Sequence, residues 1–145
     1  MAIQNTILTN LKTQLETLAW PNLVSFDKIR ISANDFRDHE IPVIQFYPTA
    51  FNHIHNQGRL LTEMAIVVEI ILKQDASGVV SVGDLLDKMQ DVEQKVGEDV
   101  RLGITSSMIG VKYLGAETDL HMIEPFYIGA LTFVAEFYKP YTGSC

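Results

Sequence analysis

Alternation between apolar and polar positions is clearest in residues 124–138, EPFYIGALTFVAEFY. Gly129, Leu131, Phe133, Ala135 and Phe137 share one parity, while Thr132, Glu136 and Tyr138 on the other tolerate water. This is the period of a β-strand with one face in a core and the other partly wet. Its aromatic and β-branched content predicts a place inside a sheet, with a neighbour on each side. Residues 60–73 carry a second such pattern. Met64, Ile66, Val68, Ile70 and Leu72 fall on one parity, and Ala65, Val67 and Ile71 on the other are apolar too. Apolar on both parities, this run is predicted to be central and covered on both faces.

The period lengthens elsewhere. In residues 3–18, Ile3, Ile7, Leu8, Leu11, Leu15 and Leu18 recur every three or four positions, opposite Gln4, Lys12, Gln14 and Glu16. An amphipathic surface helix is predicted, ended by Pro21, which disfavours helical geometry in the residue before it. A second helix is predicted over residues 81–97. Ser81 is its cap and Asp84 lies near the capping-box position. Leu85, Leu86, Met89, Val92 and Val96 form the stripe and Gly97 is the stop. Short strands are predicted at 28–31, at 41–47 (opened by Pro42 and closed by Pro48) and at 108–114. Residues 34–40, 74–78 and 115–119 read as loops or turns. The expected fold class is α+β. About five strands form a mostly antiparallel mixed sheet packed with two helices, with a long protruding β-hairpin, in a single domain spanning 1–145.

The protrusion is predicted from residues 49–59, TAFNHIHNQGR, between two predicted strands. A hairpin loop normally takes two to five residues, so either the strands continue outward as a ribbon or the tip orders on binding. Phe51, Asn52, His53, Ile54, His55, Asn56, Gln57 and Arg59 are therefore the candidate subunit or partner contact residues.

Composition and charge narrow the chemistry. At 145 residues, 47% hydrophobic and 20% charged, the chain has ordinary globular composition and enough length for a real core. A net charge of −7, with eleven scattered Lys and Arg of which no two adjoin, argues against a phosphate-neutralising surface. The start Met1-Ala2-Ile3-Gln4 lacks a basic leader segment, and the most apolar run, residues 65–72, is interrupted by Glu69. It is also shorter than the ~20 residues that span a bilayer. The single cysteine, Cys145, excludes an internal disulfide and fits folding in a reducing compartment.

No Walker loop, G-x-G-x-x-G, H-E-x-x-H, C-x-x-C or G-x-S-x-G motif occurs. His53 and His55, two apart in an extended segment, face one way and form the one candidate metal pair. Asp38, His39 and Glu40 lie in another loop, and two ligands rarely suffice. Solvated or interface imidazoles are the plainer reading. Asp35, Asp38 and Glu40 read as a wet acidic loop rather than an acid–base pair. Glu69 reads as a half-exposed position or an ion pair with a Lys or Arg of a neighbouring strand. Trp20 and Phe26 read as hydrophobic caps at the end of the first helix. No catalytic residue, cofactor or metal is assigned.

Taken together, these elements resemble the tail terminator (tail completion) proteins of long-tailed bacteriophages. The resemblance rests on the amphipathic first helix, the Ile41-Pro42-Val43-Ile44 strand after a polar loop, and the long hairpin into residues 63–72. The helix DLLDKMQDVEQKV (84–96) and the closing strand Gly129-Ala130-Leu131-Thr132-Phe133, ending in Phe137-Tyr138, complete it. It covers nearly the whole chain by element order and pattern, without a diagnostic ligand motif. The histidine-bearing arm and the Cys145 terminus have no counterpart in it.

Such a resemblance implies a non-enzymatic virion protein. It would form a hexameric homo-oligomeric ring at the head-proximal end of the tail, assembled in the host cytoplasm. The ring would cap the tail tube protein, halt polymerisation and present a surface to the head-tail connector or stopper protein. Genome DNA would pass without specific binding, and no membrane is involved. Six copies would carry about −42 (six times −7), which suits a channel that repels DNA. The alternatives are another phage head-tail joining or tail tube component of similar fold, a small metal-binding enzyme using His53 and His55, or a monomeric or dimeric adaptor.

Overall fold

The computed structural model describes residues 3–26, 36–56, 59–73, 82–104, 107–120 and 126–140. In chain order these contain α1 (Ile3–Leu15), β1 (Leu23–Ser25), a 3-10 turn (Asp38–Glu40), β2 (Val43–Asn56) and β3 (Arg59–Lys73). After them come α2 (Val82–Glu98), β4 (Met108–Leu120) and β5 (Phe126–Pro140). The strands form one mixed sheet in the order β1-β2-β3-β5-β4, antiparallel except for the parallel β1–β2 pair. This is the α+β fold that the alternation predicts.

The two most strongly alternating runs take the middle. β3 and β5 pair along their full length, from Arg59↔Pro140 to Lys73↔Phe126. One parity of each faces the helices: Met64, Ile66, Val68, Ile70, Leu131, Phe133, Ala135 and Phe137 are at most 2% exposed. Phe46, Ile7, Leu11, Leu15, Leu85 and Val92 join them in the main core. Each large apolar side chain buried here contributes about 1.5–3 kcal/mol against leaving it in water. At Gly129 the helix and sheet approach so closely that a Cβ would stand 2.6 Å from Met89 Sδ and 3.2 Å from Leu85 Cδ1. The lack of a side chain there lets α2 lie flat on β5. The two helices are tied by Gln14 Nε2 donating to the Lys95 carbonyl, and Asn10 Nδ2 donates to the Leu102 carbonyl at 2.9 Å.

Several predicted boundaries move. Pro48 does not close the second strand, because β2 runs on to Asn56 with a register shift between Pro48 and Ala50. Among the described residues, β2 past residue 45 has a partner only on its β3 side, and an edge position absorbs the missing N–H of Pro48. Residues 115–119 are not a turn. They pair with β5 (Glu117↔Ala130, Thr118↔Gly129), and as an edge strand β4 accommodates the Glu117 and Thr118 side chains in solvent. The first helix stops at Leu15, before Pro21, while the second runs one residue past Gly97 to Glu98. Leu86, expected in the α2 stripe, is 50% exposed, since one residue's step turns it away from Leu85, Met89, Val92 and Val96. The predicted strand 28–31, the cap Ser81 and the turn 74–78 lie outside the described residues. The short strand preceding β2 is Leu23–Ser25.

The largest departure concerns the second face of β3. Both helices pack on the same side, so Ala65, Val67 and Glu69 on the other parity are half-buried, not covered. Only at one end does that face gather a smaller core, in which Phe36, Val43, Ile71 and Phe126 pack with Leu23, Ile41 and Ile128.

Candidate interaction surface

β2 and β3 continue outward as paired strands to Asn56↔Arg59, the ribbon alternative for residues 49–59. The ribbon is flanked on its β3 side by β5, out to Arg59↔Pro140. β4 begins level with His53 (Met108↔Phe137, Thr62↔Phe137, His53↔Thr62), so beyond that point the sheet is three strands wide. The β2 side of this projection faces solvent among the described residues.

Phe51 is 50% and Ile54 45% exposed, two large apolar side chains three positions apart on one strand. His53 is exposed with Nδ1 3.0 Å from Thr62 Oγ1, and Asn52 Nδ2 donates weakly to Glu63 Oε1 at 3.5 Å. His55, Asn56 and Arg59 are placed by their backbone pairing, His55↔Leu60 and Asn56↔Arg59, and Gln57 lies outside the described residues. Phe51 and His53 thus share one face of the ribbon, and Asn52 and Ile54 the other. Among the described residues no group of three or more His, Cys, Asp or Glu stands close enough to hold a metal ion. Asp38, from the acidic loop, is paired with Lys73 at 2.6 Å, and that hydrogen bond holds its carboxyl below the usual range.

Sequence reasoning missed the second half of this surface, on β4. Ile109 is 44%, Tyr113 42% and Leu114 63% exposed. Leu114 sits at an irregularity in the β4–β5 ladder, between Tyr113↔Phe133 and Gly115↔Thr132. The signal that could have found it is a hydrophobic strand pattern broken by two glycines, Gly110 and Gly115, where edge bulges are common. Of the eight large apolar side chains left exposed among the described residues, five lie on β2 and β4. These two strands are the long edges of the sheet.

The open sheet face between them carries a shallow depression of about 480 Å³, bordered by Val67, Leu114, Glu117, Ala130 and Thr132. Beside it Glu69 accepts from Gln45 Nε2 at 3.5 Å and from the Tyr47 hydroxyl, so among the described residues its partners are polar neighbours on β2 and not a Lys or Arg. Burial, reinforced by the Glu69 carboxylate, pushes the Tyr47 phenol up to about 12. On β4 and β5, Lys112 Nζ stands 2.9 Å from Glu136 Oε1, which raises the Lys112 pKa. Trp20 and Phe26 both pack on the main core as expected. Trp20 Nε1 donates to Asp91 Oδ2 at 3.1 Å, and Phe26 stacks on Phe46 with centroids 5.3 Å apart.

No protein-family profile matches the chain, and no curated protein sequence matches it. Solved structures do. The chain has the fold of a protein in the virion of a native gene transfer agent particle, with a TM-score of 0.58 at 11% identity. The likeness covers 89% of this chain and 92% of that one, so it extends to the whole arrangement of helices and sheet. No helix among the described residues is long and apolar enough to cross a membrane.

Proposed function

We propose that this protein is a structural component of a phage-type virion that acts without catalysis. In this reading it forms a ring at the head-proximal end of the tail tube, stops tube polymerisation and offers the docking surface for the head-tail connector. The observation that carries the reading is the fold shared, over nearly the full length of both chains, with a gene transfer agent virion protein. The exposed apolar side chains of β2 and β4 support it, because a subunit that works only in an assembly leaves such groups for its neighbours. The ribbon residues Phe51, Asn52, His53, Ile54, His55, Asn56, Gln57 and Arg59 are assigned to contact with the adjoining subunit or the tube.

The likeness is to a protein of the gene transfer agent particle and not to a particular tail component, which equally favours a second reading as another head-tail joining or tube protein. Light scattering and negative-stain microscopy, on the protein alone and mixed with purified tail tubes from the same source, separate the readings. Closed rings that seat on tube ends are expected. Extended filaments would favour the tube reading. Monomers under both conditions would overturn the ring altogether, and tight metal binding abolished by His53→Ala would replace it with a metalloprotein.

A further inference from the structure

We propose that successive copies join edge to edge, with the open edge of β2 in one copy adding antiparallel to the open edge of β4 in the next. The inference rests on the ring reading above and names the surface that receives the ribbon.

Four observations converge on it. First, both long edges lack a strand partner over defined runs among the described residues. β1 occupies the outer side of β2 at Val43, Ile44 and Gln45, and no described residue pairs with the outer side of residues 46–56. On β4, the Val111 N–H donates to the Val100 carbonyl at 2.8 Å, so the preceding segment covers the start of that edge, and among the described residues 112–120 have no partner beyond β5. Unpaired edges of this length are templates for another strand unless something blocks them.

Second, the directions agree. β2, β3, β5 and β4 alternate in direction, so the two outer strands run opposite ways. A neighbour turned about an axis along the strands therefore presents its β4 antiparallel to β2, continuing the ladder.

Third, the exposed apolar groups fit these edges. Phe51 and Ile54 on one side and Tyr113 and Leu114 on the other are all at least 42% exposed in the single chain. Fourth, the charges do not oppose the contact. Residues 51–59 carry no carboxylate, whereas residues 115–120 carry Glu117 and Asp119 and no base, so pairing these runs brings no like charges together. The open run of β2 lies toward the hairpin tip and that of β4 toward the other end, so adjoining copies are staggered along the strands. A closed ring takes up such a stagger as strand tilt.

Cysteine cross-linking tests the contact, in a Cys145→Ser background that removes the native thiol. Ala50, Asn52 and Ile54 share the open face with Glu117. Each is changed to Cys together with Glu117→Cys. Within one chain, β2 and β4 are separated by two intervening strands, roughly 14 Å, beyond the ~7 Å limit of a disulfide, so any bond joins two copies. Oxidation of the assembled protein, alone and on tail tubes, is expected to give a ladder of covalent multimers in at least one pairing. The matching single-cysteine variants stop at dimers. If rings form and no pairing gives a ladder, the edge contact is overturned while the ring reading stands. If no ring forms in either condition, both are overturned.

Discussion

Val67 and Val68 are neighbours of identical chemistry on the central strand, yet they occupy opposite situations. Val68 is fully buried beneath the helices, and Val67 borders a shallow depression on the open face. The same contrast holds along the whole sheet. The helix-covered face buries Phe46, Ile66, Phe133 and Phe137 almost completely, while the reverse carries half-exposed Ala65, Ala130 and Thr132 beside the polar group of Gln45, Tyr47 and Glu69. Hydrophobic character therefore does not decide burial here. The placement of both helices on one side does, and it leaves a sheet face of mixed polarity and two edges with exposed apolar side chains among the described residues.

Substitutions on the two faces should break this symmetry sharply. Phe133→Ala is expected to cost about 3–5 kcal/mol in denaturant unfolding, because it empties space under the helices. Thr132→Ala, one residue away on the open face, is expected to stay within about 0.5 kcal/mol. Similar losses for the two would refute the contrast. Gly129→Val tests the tightest contact of the covered face. Its side chain would press on Met89 and Leu85, and a loss of about 1–3 kcal/mol is expected.

At the edges the effect should separate stability from assembly. Leu114→Arg places a charge on a side chain that is 63% exposed, so the unfolding midpoint should move by no more than about 0.5 kcal/mol. Rings seen by light scattering should nevertheless dissociate, and rings of unchanged mass would remove Leu114 from the contact.

The smallest effect concerns the polar group on the open face. Tyr47 has a pKa raised from 10.0 to about 12, so the folded state keeps a proton that the unfolded chain releases first. Its stabilising contribution is whole below pH 10 and is lost as pH rises through about 12. Tyr47→Phe should flatten the fall in stability across that window. An unchanged slope would mean that other groups govern the alkaline transition. Because the side chain is partly solvated, the difference is expected to be slight.

Much of this architecture could be read in the primary structure, and the particular failures are instructive. The alternation in β3 and β5 was strong enough to identify both central strands and the parity that faces the core. The three-and-four spacing placed both helices, down to the buried Ile7, Leu11, Leu85 and Val92. Where two apolar residues adjoin, as Leu85 and Leu86 do, the pattern left the edge of the stripe undecided. The second half of β4 was hidden, because G-A-E-T-D has turn composition and becomes strand only by pairing with residues 128–132 of β5. Pro48 misled for the opposite reason, since its effect depends on whether that strand has one neighbour or two. The ribbon was visible as an overlong connection, but the exposed apolar side chains of β4 were not.

What the amino-acid order determined by itself was the set of segments and the inward parity of each, since periodicity is a property of residues a few positions apart. What tertiary structure alone decided was which strands became edges, which face the helices left bare, and that exposed Phe51 and Leu114 ended on opposite margins of one sheet. Those outcomes depend on pairings between residues tens of positions apart, where backbone hydrogen bonds and packing choose partners that no local pattern encodes.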